Sequence, residues 1–384
     1  MDTVQLLCQL IRVAVCGMQP TEALHDTCTP EALQAVYALA KQHDLGHLAG
    51  QGASKLGLSD SDALQACKKA AFEAFLRYTR QNIAYVSVCE LFEKAQIPFI
   101  PLKGSVLRDH YPEPWMRTSC DMDILIHEED IPRAQPVLED AGWKYWAKCF
   151  HDISFLSADG IHLELHFTTI EDYVSEAGKQ IMEGIWEDAT PLPGKQYHMV
   201  ISDALFYYYH MVHMAKHFQA GGCGIRTFLD IWVLNHRMSF DKSARRQVLE
   251  RGQLAAFAHG AEVLAEIWFS GAEMDENSRL LQSYVLNGGT YGTLKNQVSL
   301  QQEKKGSKLQ FILNRIFQPY EVLKLQFPIV QTHKWLVPVF QVVRWFRLLR
   351  PGQLKRSRRE LQANAAVSQD QQAAARALLQ YLEL

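Results

Sequence analysis

Apolar residues recur along this chain with two different spacings, and the change of spacing divides the sequence into parts. In residues 1–95 they recur every three or four positions, as in PEALQAVYALAKQHDL and DALQACKKAAFEAFLRYTRQNIAYVSVCELFEKA. That spacing predicts amphipathic helices. From about residue 97, short apolar runs end at glycine or polar residues, which predicts strands. After about residue 170 the helical spacing returns, most clearly in DALFYYYHMVHMAKHFQ and IRTFLDIWVLNHR.

The central part of the chain is predicted to form a small mixed sheet. IPFIPLKG predicts a strand followed by a turn, and DMDILIH, WKYWAKC, ISFLSADG and IHLELHF predict four further strands. The alternation in IHLELHF is typical of an antiparallel strand with one polar face. Helices are predicted at SVLRDHY and at EEDIPRAQPVLEDAG, the second closed by Gly142.

Together these elements predict an α+β protein in three parts. A helical N-terminal segment (residues 1–95) precedes a small mixed β-sheet core flanked by helices (96–190), and a helical C-terminal domain follows (191–384). A chain of 384 residues is too long for one ordinary hydrophobic core, which agrees with this division. Residues 285–306 are predicted to be a loop or a mobile connection.

Composition narrows the class of protein and its location. The chain is 48% hydrophobic and 21% charged, as globular proteins are, and its net charge of -3 gives no general attraction to long nucleic acid. It contains no stretch of about 18 or more uncharged apolar residues and begins without the basic front of a secretory signal. Eight scattered cysteines without a CxxC pair favour reduced thiols. We expect a cytoplasmic protein.

The stretch DMDILIH places two aspartates at the start of an apolar strand. Because side chains alternate along a strand, Asp121 and Asp123 share one face and lie about 7 Å apart. Two such carboxylates can hold a hard cation, and Mg²⁺ is commonly bound by one or two carboxylates together with substrate phosphates. In IHLELHF, Glu164 shares a face with His162 and His166. If that strand lies beside DMDILIH, Glu164 becomes a third acidic ligand.

A phosphate-binding turn is predicted just upstream, where Lys103, Gly104 and Ser105 join a strand to a helix. Glycine lets the backbone approach a phosphate, and the start of a helix offers unpaired N–H groups. Lys103 adds a compact positive charge, and Arg117 adds a planar guanidinium that can donate two parallel hydrogen bonds to a phosphate. A cationic turn facing an acidic metal site suits triphosphate chemistry, which depends on positioning and charge neutralisation.

The order of these features resembles the uncharacterised nucleotidyltransferase family of the DNA polymerase beta-like superfamily. The resemblance implies a nucleotidyltransferase core in which two Mg²⁺ ions are bound by Asp121, Asp123 and Glu164 and the nucleotide phosphates lie at the glycine turn. The residues that match the family pattern are Leu102-Lys103-Gly104, Tyr111-Pro112, Arg117, Asp121, Asp123 and Leu163-Glu164-Leu165-His166.

The reaction implied is transfer of a nucleoside monophosphate from an NTP such as ATP to an acceptor, with release of pyrophosphate. Glu164 doubles as a base in this scheme, and Lys103, Ser105 and Arg117 hold phosphates. The acceptor is a small molecule or a protein, and long nucleic acid is not expected because the core lacks a basic bias. A non-catalytic protein that binds nucleotide or a partner with the same fold is the alternative.

Two helices predicted after the sheet offer further candidates. His210, His213 and His217 lie on one helical face, and the last two have the spacing of helical zinc ligands. They either pack, or contact the nucleotide or acceptor, or bind the metal of a phosphoesterase. Arg226 and Asp230 are four residues apart. They form an ion pair along the helix, or Asp230 faces the cleft as a catalytic residue that orients or deprotonates the acceptor.

Residues 334–359 begin with Lys334 and contain seven further lysines and arginines, interspersed with aromatic residues. Pro338 and Pro351 restrict this segment to broken helices. It is predicted to pack as a helix with a solvated basic face, and peripheral contact with an anionic membrane is the alternative. The sequence does not predict an oligomeric state.

Overall fold

The computed structural model describes most of the chain and divides it into two compact units. Residues 1–216 and 224–278 form the first unit, and residues 217–223 and 279–384 form the second. The division into three parts at residues 95 and 190 stays a prediction. The described residues are 1–149, 151–169, 175–290, 292–305, 316–320, 323–324, 327, 329–348, 359, 362 and 366–384.

The N-terminal segment is helical. Side chains of Thr29 and Ser61 accept hydrogen bonds from the first turns of two of its helices, which fixes where those helices begin. Helix packing is close, because a Cβ on Gly52 would lie 2.2 Å from the carbonyl oxygen of Leu10. The helices are α1 (Thr3–Ile11, continued by a π-helical turn at Arg12–Cys16), α2 (Glu22–Thr27), α3 (Pro30–Gln42), α4 (Gly46–Lys55) and α5 (Asp62–Lys94).

A five-stranded mixed sheet follows, which confirms the predicted α+β class. Its strand order is β1-β2-β5-β4-β3, in which β2 and β5 are parallel and the other neighbours are antiparallel. The bounds in chain order are β1 (Phe99–Pro101), α6 (Gly104–Leu107), β2 (Asp121–Ile126), α7 (Ile131–Asp140), β3 (Lys144–Lys148), β4 (Asp152–Leu156) and β5 (His162–His166).

One face of this sheet forms the hydrophobic core of the region. Apolar side chains of β2, β4 and β5 pack against one side of α5 and against α7, and Phe92 and Phe99 meet edge to face with ring centres 5.7 Å apart. The buried members include Val88, Phe92, Met122, Ile124, Ile126, Ala134, Leu138, Ile153, Phe155, Leu163 and Leu165. The opposite face of the same strands is therefore left for polar residues.

Helices resume after the sheet, as their apolar spacing predicts. Phe228 and Trp268 pack edge to face between two of them, with ring centres 5.1 Å apart. The elements are α8 (Glu176–Glu183), α9 (Ile185–Asp188), a small hairpin of β6 (Thr190–Pro191) and β7 (Met199–Val200), α10 (Asp203–Gln219), α11 (Ile225–Arg237), α12 (Lys242–Arg251) and α13 (Ala255–Phe269).

The last part of the chain corrects one prediction. Within residues 285–305, most of the described residues belong to two helices and not to a loop. The second of these helices has few apolar residues, Leu294, Val298 and Leu300, so no continuous apolar stripe marked it in the sequence. The described helices are α14 (Glu276–Gly288), α15 (Leu294–Lys305), α16 (Ile329–Thr332), α17 (Val337–Leu348) and α18 (Gln369–Leu382).

The basic aromatic segment is described over residues 334–348, and residues 349–358 lie outside the described residues. A 3₁₀ turn at Lys334–Leu336 leads into α17, where Pro338 occupies the second position, a place that tolerates proline. Arg344 is buried, whereas Trp335 and Phe346 are exposed. Within the described residues, no helix has both the length and the apolar character needed to cross a membrane.

The sheet core yields the first testable prediction, on helix α5. Phe92 is fully buried against the sheet, whereas Phe72 on the same helix is 61% exposed. We expect Phe92→Ala to lower the free energy of unfolding by about 3–5 kcal/mol, because it removes a packed ring and leaves a cavity. Phe72→Ala should change it by less than about 0.5 kcal/mol. Equal losses in urea unfolding of the two variants would contradict this packing.

Candidate active site

The polar face of the sheet brings together residues that are far apart in the sequence. In the parallel pair of β2 and β5, Asp121 stands opposite His162 and Asp123 opposite Glu164. His166 continues the row on β5 and stands opposite Asp152 of β4. Because strand side chains alternate, these residues all point away from the apolar core. The sequence prediction that Glu164 lies beside the aspartate strand agrees with this register.

Three side chains converge on this face closely enough to share a cation. Ligand atoms of Asp123, Glu164 and His166 lie within 4.8 Å of one another. His166 Nε2 is 2.8 Å from Asp123 Oδ1 and 3.6 Å from Glu164 Oε2. Asp121 belongs to the same face, two residues before Asp123, but its carboxylate is not among the ligand atoms that lie this close together. The structure thus brings together Asp123, Glu164 and His166. The role of Asp121 as a ligand of the same metal site stays a prediction.

Lys103 supplies the positive charge of the site. Its Nζ lies 2.7 Å from Asp123 Oδ1, the same oxygen that His166 contacts. The Lys103 backbone has φ 47° and ψ -121°, a conformation that glycine adopts more readily than lysine. Strain of this kind costs about 1–3 kcal/mol, and the buried ion pair beside it is the contact that holds the lysine in place.

The three carboxyl groups differ in acidity because their neighbours differ. Burial opposes ionisation of Asp123, but Lys103 and His166 outweigh it and hold its pKa well below the usual range. Burial, reinforced by the Asp123 carboxylate, raises the pKa of Asp121. Burial and then the two aspartates raise the pKa of Glu164. Asp123 is therefore held as an anion, whereas Asp121 and Glu164 accept a proton more readily than ordinary carboxylates do.

The glycine turn is tightly packed. A Cβ on Gly104 would lie 3.1 Å from Cβ of Ser119 and 3.8 Å from Arg117 Nη1. The Arg108 side chain donates through Nε to the Gly104 carbonyl at 2.9 Å and through Nη2 to Ser119 Oγ at 3.2 Å. Within the described residues, the buried Ser105 Oγ and Arg108 Nη1 have no hydrogen-bond partner. Both donors are enclosed in this conformation, so a ligand reaches them only if the turn opens.

The helix after this turn is shorter than the sequence suggested. Helix α6 has four residues and passes directly into a 3₁₀ turn at Arg108–His110. A helix of this length adds little dipole, so any phosphate binding here depends on the local donors and on Lys103.

Arg117 and Asp230 form a buried ion pair, an arrangement that the sequence did not predict. Arg117 Nε donates to Asp230 Oδ1 at 2.7 Å, and the Tyr111 hydroxyl donates to the same oxygen at 2.7 Å. Asp230 is fully buried and Arg117 nearly so. Burial works against both charges, but Asp230 keeps the pKa of Arg117 above its usual value. In this conformation Arg117 is not exposed to a phosphate and Asp230 is not exposed to an acceptor.

The ion pair considered along α11 is also absent, since Arg226 Nη1 contacts Asp44 Oδ2 at 2.7 Å instead of Asp230. On α10, His210 is buried, and burial lowers its pKa. In the described part of the chain, two groups of converging metal-ligand side chains occur, and neither contains His210, His213 or His217. The structure therefore does not favour a histidine-metal phosphoesterase.

Comparison with known proteins now adds to this geometry. The model of the family described as uncharacterised nucleotidyltransferase matches residues 29–270, which is more than half of the chain. The chain belongs to that family. No curated protein matches it. The resemblance inferred from the sequence is confirmed, and the matched range includes the whole sheet and the helices from α3 to α13.

Several contacts at this candidate site were not predicted from the sequence. His166 was visible in the family pattern, but its contact with Asp123 depends on the pairing of β2 with β5. Arg108 follows Gly104 by four residues, a helical spacing that could have indicated its contact with the turn. Gln81 of α5 and His47 of α4 gave no signal, and their contacts with Ser119 and with the Met116 carbonyl come from helix packing.

The buried ion pair of this nucleotidyltransferase leads to the second prediction. Asp230→Asn should lower the free energy of unfolding by about 3–5 kcal/mol, because it leaves the Arg117 charge buried without its counterion. The matched control is Glu250→Gln, which breaks the exposed pair of Arg246 and Glu250 on α12 and should leave urea unfolding close to that of wild type. If the two substitutions have the same effect on urea unfolding, Asp230 has no such structural role.

Proposed function

We propose that this protein transfers a nucleoside monophosphate from an NTP to an acceptor hydroxyl or similar group, with release of pyrophosphate. Membership of the nucleotidyltransferase family supports transfer of this general kind. The observation that carries the finer proposal is the convergence of Asp123, Glu164 and His166 beside Lys103 on the polar face of the sheet. It combines an acidic group that suits a divalent cation with a cation that suits a phosphate.

The side chains present fit a divalent ion. Two carboxylates from neighbouring strands are hard oxygen ligands of the kind that Mg²⁺ prefers. His166 lies beside both of them, and Asp121 lies two residues before Asp123 on β2. Asp123 and Glu164 would hold the ion, and Asp121 would hold a second one. A bound Mg²⁺ would lower the pKa of the acceptor hydroxyl and neutralise charge on the triphosphate.

Lys103 neutralises the negative charge of Asp123. Its side chain is about one-fifth exposed, so it is the cationic group through which an entering phosphate can contact the site. A phosphate oxygen that took over this contact would release Asp123 for its other partners. Ser105 Oγ and Arg108 Nη1, the two buried donors without partners, lie at the adjoining turn.

The bond changes follow from this arrangement. The acceptor oxygen attacks the α-phosphorus, and the bond from that phosphorus to the β-phosphate bridging oxygen breaks, so that pyrophosphate leaves. Glu164 accepts the proton of the acceptor hydroxyl. Because its pKa is raised, Glu164 accepts a proton at a pH closer to neutrality than an ordinary glutamate does. Arg117 and Asp230 keep a structural role in this scheme.

A non-catalytic nucleotide-binding protein is the second candidate. It is favoured by the same contact, because Asp123 Oδ1 is already satisfied by Lys103 and His166. If these partners stay in place when a nucleotide binds, the site holds the nucleotide without activating it. The acceptor class, small molecule or protein, is left open by either candidate.

The third prediction tests transfer directly. Purified protein with Mg²⁺ and α-labelled NTPs should move label onto an acceptor from a lysate and release pyrophosphate. Asp123→Asn and Glu164→Gln should each slow this by at least about a hundredfold, since each removes a charged group at the reacting centre. Asp140→Asn, an exposed carboxyl on α7, is the matched control and should act as wild type.

The outcome also separates the two candidates. Stabilisation of the protein against heat by NTP and Mg²⁺, without label transfer over a broad acceptor panel, would support the non-catalytic role. Transfer that proceeds unchanged in Asp123→Asn protein with a wild-type melting temperature would rule out the proposed centre.

A further inference from the structure

A second group of metal-ligand side chains lies beside the candidate active site and has no part in the scheme above. Ligand atoms of His151, Asp152 and His166 lie within 4.8 Å of one another. Asp152 of β4 stands directly opposite His166 of β5 in the antiparallel register, and His151 immediately precedes that strand. We call these three residues the outer group.

The outer group is held in place by the sheet. Phe167 N donates to the His151 carbonyl at 3.0 Å, which fixes the backbone of His151 at the end of the ladder. His151 Nε2 is 3.0 Å from Asp152 Oδ2. The rings of His151 and His166 are nearly parallel, with an interplanar angle of 10° and centres 6.0 Å apart. Their nitrogens and the carboxylate therefore face a common space at the edge of the polar face.

The donor set indicates which cation would bind there. Two imidazoles and one carboxylate are typical ligands of Zn²⁺ and similar borderline dications, whereas Mg²⁺ prefers oxygen ligands alone. Three protein ligands leave a fourth position for water. Asp152 and His166 are buried, and His151 is about two-fifths exposed, so an ion has a route from solvent.

We propose that His151, Asp152 and His166 form a second cation site, selective for Zn²⁺ or a similar borderline dication, which is coupled to the candidate active site through His166. The site itself stands on the geometry of the outer group alone. The coupling rests on the proposed function. His166 belongs to both groups of ligands, and its Nε2 contacts Asp123.

The sign of the coupling follows from charge. A dication at the outer group adds positive charge next to Asp123, where Lys103 already lies. A second dication at Asp123 and Glu164 would then be repelled, and the two would compete for His166. Zinc at the outer group should therefore weaken binding of the divalent ion that supports transfer, by about five- to 150-fold for a coupling of ordinary size.

The fourth prediction measures zinc binding without reference to activity. Tag-free protein should take up one Zn²⁺ in competition with a chromophoric chelator, and Co²⁺ in its place should give the visible absorption of a four-coordinate site. His151→Ala should weaken Zn²⁺ binding by at least about tenfold, since even the loss of an outer-shell partner commonly costs that much. His25→Ala, which removes an exposed histidine of α2, should bind as wild type.

Two further variants test whether zinc binds to side chains outside the outer group. Glu164→Gln tests whether zinc uses the group around Asp123, and Cys149→Ser tests the exposed thiol nearest in sequence to the outer group. Both should keep zinc affinity close to that of wild type. Absence of zinc binding, or binding that is unchanged in His151→Ala, or lost in Glu164→Gln or Cys149→Ser alone, would overturn the site.

Coupling has a separate readout. In wild type, saturating Zn²⁺ should reduce Mn²⁺ affinity, followed by the free Mn²⁺ signal in electron paramagnetic resonance, and should slow label transfer. In His151→Ala protein the same zinc concentration should do neither. If zinc binds at the outer group but leaves Mn²⁺ affinity unchanged, the coupling is wrong and the site remains. If Mn²⁺ affinity falls but no transfer is ever seen, the failure lies with the proposed function.

Discussion

The parallel register between β2 and β5 fixes which side chains stand next to each other on the sheet. It pairs Asp123 with Glu164 on one face and Ile124 with Leu165 on the other. Because side chains alternate, a slip of one residue would turn the carboxylates into the apolar core and the apolar residues outward. Burial of Ile124, Leu165 and their neighbours on the core face therefore also determines the positions of the polar side chains on the other face.

This register creates an electrostatic difficulty that the surrounding residues relieve. Three carboxyl groups on one face repel one another and lose solvent, which raises the pKa of Asp121 and of Glu164. Lys103 relieves the repulsion at Asp123, although its backbone must adopt a conformation that favours glycine. The carboxyl groups and Lys103 thus place fixed charges where ligands of opposite charge can bind. These charges suit a divalent cation and a phosphate.

Much of the fold and part of the site could be predicted from the sequence. The strands and the shared face of Asp121 and Asp123 follow from alternation, and Gly104 followed from the abrupt end of an apolar run. The contact of Arg117 with Asp230 could not be predicted, because 113 residues separate them and the packing of α11 brings them together. The helix at residues 294–305 was missed for a different reason. Its apolar residues, Leu294, Val298 and Leu300, are too few to form a continuous stripe, so spacing gives a weak signal there.

The family pattern supplied information that local spacing alone did not. It indicated that the strand with Glu164 and His166 acts together with the strand of Asp123, and the register bears out that they are neighbours. It also led to the expectation that Asp121 is a ligand in the same site, which stays a prediction, and it did not indicate how close His166 lies to Asp123 and Glu164.

Pulsed electron paramagnetic resonance of bound Mn²⁺, used in place of Mg²⁺, tests the convergence of Asp123, Glu164 and His166 most directly. One Mn²⁺ should show nitrogen coupling from a single imidazole. That coupling should disappear in His166→Gln and persist in His151→Ala, and the bound ion itself should be lost in Asp123→Asn. Bound Mn²⁺ without nitrogen coupling, or coupling that survives in His166→Gln, would show that these three side chains do not share one cation.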